Sequence, residues 1–351
     1  MDPVAVFREE GIAERYADAP PRMTCAAIDL GTNNCRLLIA LPTPDGFNVI
    51  DAFSRIVRLG EGVDRTGRLS HAAIGRTLAA LRICTMKMRR RGVELRRAVA
   101  TEACRRAANF DPFRARIRRE IGLDLEAISS AEEARLALIG CAPLLDPNIP
   151  YALVFDIGGG STELMWLTLD GPDGAELTDS VSLPLGVVNL TERHGGDRVS
   201  PAVYRAMIDQ VAEGLAAFDT RNRIRGKVAD GAVQMLGSSG TVTTLAGVSR
   251  GLRRYDRSLV DGTILEFSAA RAVSRSLLAL DYGGRAAQPC IGRDRADLVV
   301  AGCAVLEAIL DAWPVGRLRI ADRGVREGIL FDLMAGWHAA ARAAAARSAA
   351  D

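Results

Sequence analysis

At 351 residues the chain is too long for one ordinary core, so two domains are expected. A hydrophobic content of 48% with 25% charged residues is that of a globular protein in water, and no apolar run is long enough to cross a bilayer. A net charge of +2 with 5% aromatics excludes stacking platforms for nucleic acid, and three histidines exclude a His-built zinc or iron site.

Residues 1–23 read as a leader, irregular or partly helical. Its acids Glu9, Glu10, Glu14 and Asp18 exclude a signal or transit peptide, which points to the cytoplasm. Thr24 to Leu41 is an apolar strand, a tight polar turn and a second strand, and Phe47 to Arg58 is a third. A loop follows to Leu69, then a helix from Ser70 to about Arg91, stopped by Gly92. Glu94 to Ala100 is a strand. Asp111 to Glu120 is a helix with Asp111 as N-cap and Pro112 at its first position. Leu125 to Ile128 is a short strand. Ser130 to Leu145 is a helix opened by the capping-box pattern Ser130-x-x-Glu133. Arginines crowd the stretch from Arg89 to Arg119 and suggest a track for a polyanion. The seven cysteines are scattered without a C-x-x-C pair, so they read as small buried hydrophobes.

The pattern then restarts. Ala152 to Leu169 reads A-L-V-F-D-I-G-G-G-S-T-E-L-M-W-L-T-L, against I-D-L-G-T-N-N in the first half. One hairpin opens each half, an internal duplication that predicts mixed α/β domains. Small-residue turns present successive backbone N–H groups, a nest for phosphate oxygens. The Asp before each turn is placed to orient Mg²⁺ or a water.

This duplication resembles the actin/Hsp70/sugar-kinase superfamily. The runs G-E-G-V-D-R-T-G-R-L-S (60–70), A-T-E-A-C-R-R-A-A-N (100–109), I-S-S-A-E-E-A-R-L (128–136), L-G-S-S-G-T-V-T-T-L-A (236–246), R-A-D-L-V-V-A-G (295–302) and R-G-V-R-E-G-I-L (323–330) narrow the resemblance to the exopolyphosphatase/guanosine-pentaphosphate phosphohydrolase family. It implies an α/β fold of two actin-like (ribonuclease H-like) lobes with an interdomain cleft. The lobes would be residues 24–148 and 149–322, with a C-terminal helix over 323–351 packing back on the first. It further implies release of terminal phosphate from inorganic polyphosphate, guanosine pentaphosphate or both.

Carried over residue by residue, the resemblance makes Glu133 the catalytic carboxylate, and Asp29, Asp156 and Glu163 the acids of a Mg²⁺ site. The phosphate-binding residues would be Thr32, Asn33, Arg105, Gly158, Gly159, Gly160, Ser161, Thr162, Gly240 and Thr241. As the first-turn residue of a helix, Glu133 is expected to be ionised at neutral pH. The chain departs from the family at Ser130, where Gly is usual, at Asn34 and Cys35 in the first turn, and at Asn189, where Arg is usual. Partners would be polyphosphate or guanosine penta- and tetraphosphate, with no nucleic acid or membrane; a homodimer stays open. A superfamily kinase or ATPase and a non-catalytic guanosine tetra- or pentaphosphate sensor are the alternatives.

Overall fold

The structure is a computed structural model that describes residues 23–44, 46–171 and 174–348. The leader expected over residues 1–23 lies outside these apart from Met23. The first half runs β1 (Cys25–Leu30), β2 (Asn34–Thr43), β3 (Gly46–Ile56), α1 (Val63–Thr66), α2 (His71–Arg90), β4 (Leu95–Ala100), α3 (Glu102–Arg106), α4 (Phe110–Ile121), β5 (Glu126–Ala127) and α5 (Ser130–Cys141). The second begins with β6 (Tyr151–Ile157), β7 (Thr162–Gly171), β8 (Gly174–Leu183), α6 (Val187–His194), α7 (Pro201–Asn222), α8 (Ile224–Ala229), β9 (Val233–Ser238) and α9 (Gly240–Ser249). It ends with β10 (Ile264–Glu266), α10 (Phe267–Ala279), α11 (Tyr282–Ala286), α12 (Val299–Ala312), β11 (Arg317–Ala321) and α13 (Val325–Ser348).

Two sheets form, with strand orders β3-β2-β1-β4-β5 and β10-β11-β9-β6-β7-β8. In each, three antiparallel strands run from the duplicated hairpin and the hairpin's first strand pairs in parallel with the next unit, β1 with β4 and β6 with β9. The repeat in sequence is therefore a repeat in topology, and the fold is two actin-like α/β lobes.

Strand alternation decides what each sheet face carries. Ala26, Ile28 and Leu30 face the first lobe's own core, whereas Cys25 and Ala27 face a middle layer shared by both lobes. On the other sheet Leu153, Phe155 and Ile157 face the second lobe's core, and Ala152 and Val154 face the same middle layer. Helices α5 and α13 supply that layer through Ala134, Leu136, Leu138, Ile329 and Leu330. The two helices touch backbone to backbone. A Cβ on Gly328 would lie 2.0 Å from the Leu136 carbonyl oxygen, and one on Gly140 would lie 2.2 Å from that of Gly324. Gly328→Ala is therefore expected to force α13 off α5, at a cost of about 1–3 kcal/mol and a Tm lower by several degrees. An unchanged thermal melt would show that the helices part freely.

Two helix starts differ from expectation. α4 opens at Phe110, because the preceding Asn109 uses its amide on the loop at Leu69, accepting from its N–H and donating to its carbonyl. α5 is capped by Ser129, whose Oγ accepts from Glu132 N–H, so the capping-box reading of Ser130 and Glu133 is wrong by one residue. Glu133 is left with no capping task. All seven cysteines are buried and unbridged. Among the described residues no helix is long and apolar enough to cross a membrane.

Candidate active site

Both hairpin turns close the same way. Gly31 N–H donates to the Asn34 carbonyl and Gly158 N–H to the Ser161 carbonyl, each at 2.9 Å. The first turn is held from behind, because the Asn33 carbonyl accepts from Val57 and Arg58 and the Thr32 carbonyl from Gly60. The second is held by Val187 and Val188 N–H donating to Gly158 and Gly159. The turns then meet across the lobes: a Cβ on Gly159 would lie 2.9 Å from Thr32 Cβ, and one on Gly160 would lie 2.8 Å from Thr32 Oγ1. Only glycine fits there. Backbone N–H groups of Thr32, Asn33, Gly159 and Gly160 donate to no described acceptor, the condition for a nest.

Between the turns lies a cleft of about 120 Å³. Asp29, Thr32, Asn33, Glu133, Asp156, Gly158, Gly159, Gly160, Ser161, Gly240 and Thr241 line it, so most of the expected site residues converge. Alternation explains the acids: Asp29 continues the inward row of Cys25 and Ala27, and Asp156 that of Ala152 and Val154, where the apolar layer gives way to the cleft. Neither aspartate has a hydrogen-bond or ion-pair partner among the described residues. Burial raises both carboxyls, Asp156 to about 6, and the neighbouring Arg36 charge opposes the shift in each. Asn33 and Asn34 each keep a buried, unpartnered Oδ1 beside them.

Three of the expected site residues are held by protein partners. Glu163, the register partner of Asp156 on the same sheet face, is buried beneath the turn, where its Oε1 accepts from Ser161 Oγ at 2.6 Å and Ser182 Oγ at 2.9 Å. Among the described residues no three His, Cys, Asp or Glu side chains are arranged to hold a metal. Thr162 donates its hydroxyl to the Leu185 carbonyl at 2.6 Å and points away from the cleft. Arg105 is committed to protein acceptors, namely Glu133 at 2.7 Å, Glu102 at 2.8 Å and the Ile128 carbonyl at 3.0 Å.

Arg105 thus holds Glu133 in place. The Glu133 carboxyl is pushed well up by burial first and by the Glu163 charge second, with Arg105 opposing both. Glu163 is itself raised to about 7, mainly by burial. Desolvation outweighs the helix dipole, so the expectation of an ordinary ionised Glu133 is corrected. Its neighbour Glu132 faces away, paired with Arg97 and Arg135.

The structure adds residues that the motifs did not assign. Arg36 is the register partner of Asp29, at the position where the second lobe has Glu163 opposite Asp156. A lone arginine in the apolar strand N-C-R-L-L-I-A-L was its only signal. Arg295, from the R-A-D run, reaches the same cleft with Nη1 donating to Thr244 Oγ1 at 3.2 Å. Ser239, which caps α9 at the cleft wall, has φ 129, a strained value for a non-glycine. Asn189 serves the turn. Its amide donates to the Gly160 carbonyl and its Oδ1 accepts from Gly186 N–H.

The surface arginines behave differently. Arg97, Arg106, Arg114, Arg116 and Arg118 pair with Glu126, Asp64, Asp111, Glu120 and Asp124, and no arginine from Arg89 to Arg119 lines the cleft. Arg89, Arg90 and Arg96 make no ion pair with a described residue, and Arg96, Arg97, Arg114 and Arg118 line a separate cavity.

Residues 38–336 match the model of the Ppx/GppA phosphatase family. The chain belongs to that family. It is 31% identical over 324 residues to "Exopolyphosphatase 2" of Mycobacterium tuberculosis, covering 88% of this chain and 98% of that protein. The crystal structure of the Aquifex aeolicus Ppx/GppA family member is similar with a TM-score of 0.73 at 29% identity, over 90% of this chain and 99% of that one. An exopolyphosphatase from Cytophaga hutchinsonii gives 0.81 at 25% identity, over 90% and 98%. The family assigns a phosphatase.

Proposed function

We propose that this chain hydrolyses the terminal phosphoanhydride bond of inorganic polyphosphate, with Glu133 as the base that orients and deprotonates the attacking water. The observation that carries the reading is the placement of Glu133. It lines the same cleft as the two turns and is held by Arg105. The terminal phosphoryl group sits between the two turns, where free N–H groups of Thr32, Asn33, Gly159 and Gly160, with Ser161 close by, receive its oxygens. Arg36 and Arg295 neutralise charge on the bridging and leaving oxygens. Exopolyphosphatase activity among the relatives supports the substrate class.

Mg²⁺ fits what is present. Two unpartnered carboxylates, Asp29 and Asp156, and the unpartnered amide oxygens of Asn33 and Asn34 are all hard oxygen donors around one cleft. When bound there, the ion would neutralise phosphate charge and relieve repulsion between the two aspartates. Glu163 keeps Ser161 in place and, through its charge, helps keep Glu133 basic.

The test incubates the protein with long polyphosphate, tripolyphosphate, guanosine pentaphosphate or ATP, with Mg²⁺ or with chelator, and measures released phosphate. Mg²⁺-dependent release from the polyphosphates is expected. Release from ATP alone, or none from any substrate, overturns the proposal.

Arg105 gives a separate check. Its charge lowers the Glu133 carboxyl, so removing it raises that group further. Arg105→Met should therefore move the acid limb of the kcat profile to higher pH while leaving KM within about twofold. A raised KM with an unmoved limb would make Arg105 a phosphate ligand after all.

A further inference from the structure

Glu102 touches both the support of the base and a phosphate turn. It opens α3, and its side chain is only 13% exposed. Its Oε2 accepts from Arg105 Nε at 3.2 Å and from Arg105 Nη2 at 2.8 Å. Its Oε1 lies 4.0 Å from Arg106 Nε. A Cβ on Gly160 would lie 3.1 Å from Glu102 Cγ, and Glu102 lines a void of about 20 Å³ together with Thr32 and Gly160. The carboxylate is therefore turned to arginine while its stem packs on the turn that meets Thr32.

Counting donors shows what this arrangement achieves. A guanidinium carries five N–H groups in one rigid plane. The two on Arg105 Nη1 go to Glu133 at 2.7 Å and to the Ile128 carbonyl at 3.0 Å. Nε and one N–H of Nη2 go to Glu102. Held through Nη1 alone, the plane would be free to pivot about Glu133 and Ile128. A two-point contact between arginine and carboxylate fixes orientation as well as distance. We propose that Glu102 is a positioning residue: it locks the Arg105 fork and so holds Glu133 in a set relation to the Gly160 turn that receives the phosphoryl group. The inference rests on the reading of Glu133 as the base and deepens it by naming what aims that base. A second link ties the same parts together. Arg106 donates to Asp64 at 2.7 Å, and Asp64 also accepts from Arg193 of α6 at 2.7 Å. The same helix carries Asn189, the brace of Gly160.

The test compares Glu102→Gln, Arg105→Met and the double variant on long polyphosphate with Mg²⁺, at the plateau of each pH profile. Gln keeps the length of the side chain but has one acceptor oxygen, so the fork is lost. Displacing a reacting group by about 1 Å can cost about 10²-fold, and partial loosening should cost less. Glu102→Gln should therefore lower kcat about tenfold and leave KM within about twofold. Added to Arg105→Met, it should change kcat by less than about twofold, because its effect passes through Arg105. A raised KM, an unchanged kcat, or a tenfold loss that persists beside Arg105→Met overturns the proposal. Glu102→Ser is read in the same way should Glu102→Gln fail to fold. A second measurement needs no turnover. In protein labelled with ¹³C at the glutamate carboxyls, the Glu133 resonance is identified by its absence in Glu133→Gln. It should shift or broaden in Glu102→Gln, and not change further when Glu102→Gln is added to Arg105→Met. An unmoved resonance overturns the positioning role. A moved resonance in a protein that releases phosphate from no substrate would sustain the positioning role and fail the hydrolase reading alone.

Discussion

Glu133→Gln is expected to lower kcat on polyphosphate by about 10²–10⁴-fold while KM changes little, the usual range for loss of a general base. Gln keeps the shape and still accepts from Arg105, so the fold and the position of the side chain survive. Ser129, not Glu133, is the cap of α5, so helix stability is not at stake. Glu132→Gln is the control. Glu132 pairs with Arg97 and Arg135 away from the cleft, and its replacement should leave kcat within a few fold. The pH profile adds a second readout. Burial and the Glu163 charge raise the Glu133 carboxyl well above the ordinary glutamate range. The working form is the carboxylate, so the rate should climb with pH on an acid limb displaced upward from that range. Near-normal turnover in Glu133→Gln would remove it as the base.

Asp156→Asn should abolish activity and stabilise the protein, two effects that rarely coincide. The aspartate has no protein partner among the described residues, and burial raises it from 3.8 to about 6. A carboxyl raised in the folded state binds its proton more tightly there than in the unfolded chain. Its favourable contribution is complete below about pH 4, the unfolded value, and is lost as pH rises through about 6. Above that, the folded protein carries an uncompensated charge. Because the group sits on a solvent-reached cleft floor, the cost is on the order of 1–2 kcal/mol. At pH 8 in chelator Asp156→Asn should therefore melt several degrees above the unaltered protein, and the gap should close near pH 4. Activity with Mg²⁺ should fall at least about 10²-fold, since a charge that holds the phosphate-bound cation is gone. A variant less stable than the unaltered protein at pH 8 would show that Asp156 has a partner at rest. Full activity would show that it has no part in the site.

Strand periodicity and the duplicated hairpin carried most of the architecture in the sequence. A period of two puts Asp29 and Asp156 on the same faces as their apolar neighbours, and glycines at 158–160 announce a close approach before the approaching loop is known. Those features are local, so the linear pattern alone predicts mixed α/β domains and the two turns with an Asp before each. What it did not contain was partnership between distant side chains. Arg105 and Glu133 are 28 positions apart. A motif assigned one to phosphate, while folding set it on the carboxylate at 2.7 Å. Glu163 looked like a metal ligand and became the acceptor of two serine hydroxyls. Asn189 looked like a lost phosphate contact and became the brace of the Gly160 turn. Arg36 and Arg295 come from separate stretches and converge only when the lobes assemble. The direction of the Glu133 shift was also beyond the sequence. A helix start argues for an ionised carboxylate, but desolvation is the stronger influence. It comes with burial and with the Glu163 charge from the other half of the chain, so it exists only in the assembled cleft.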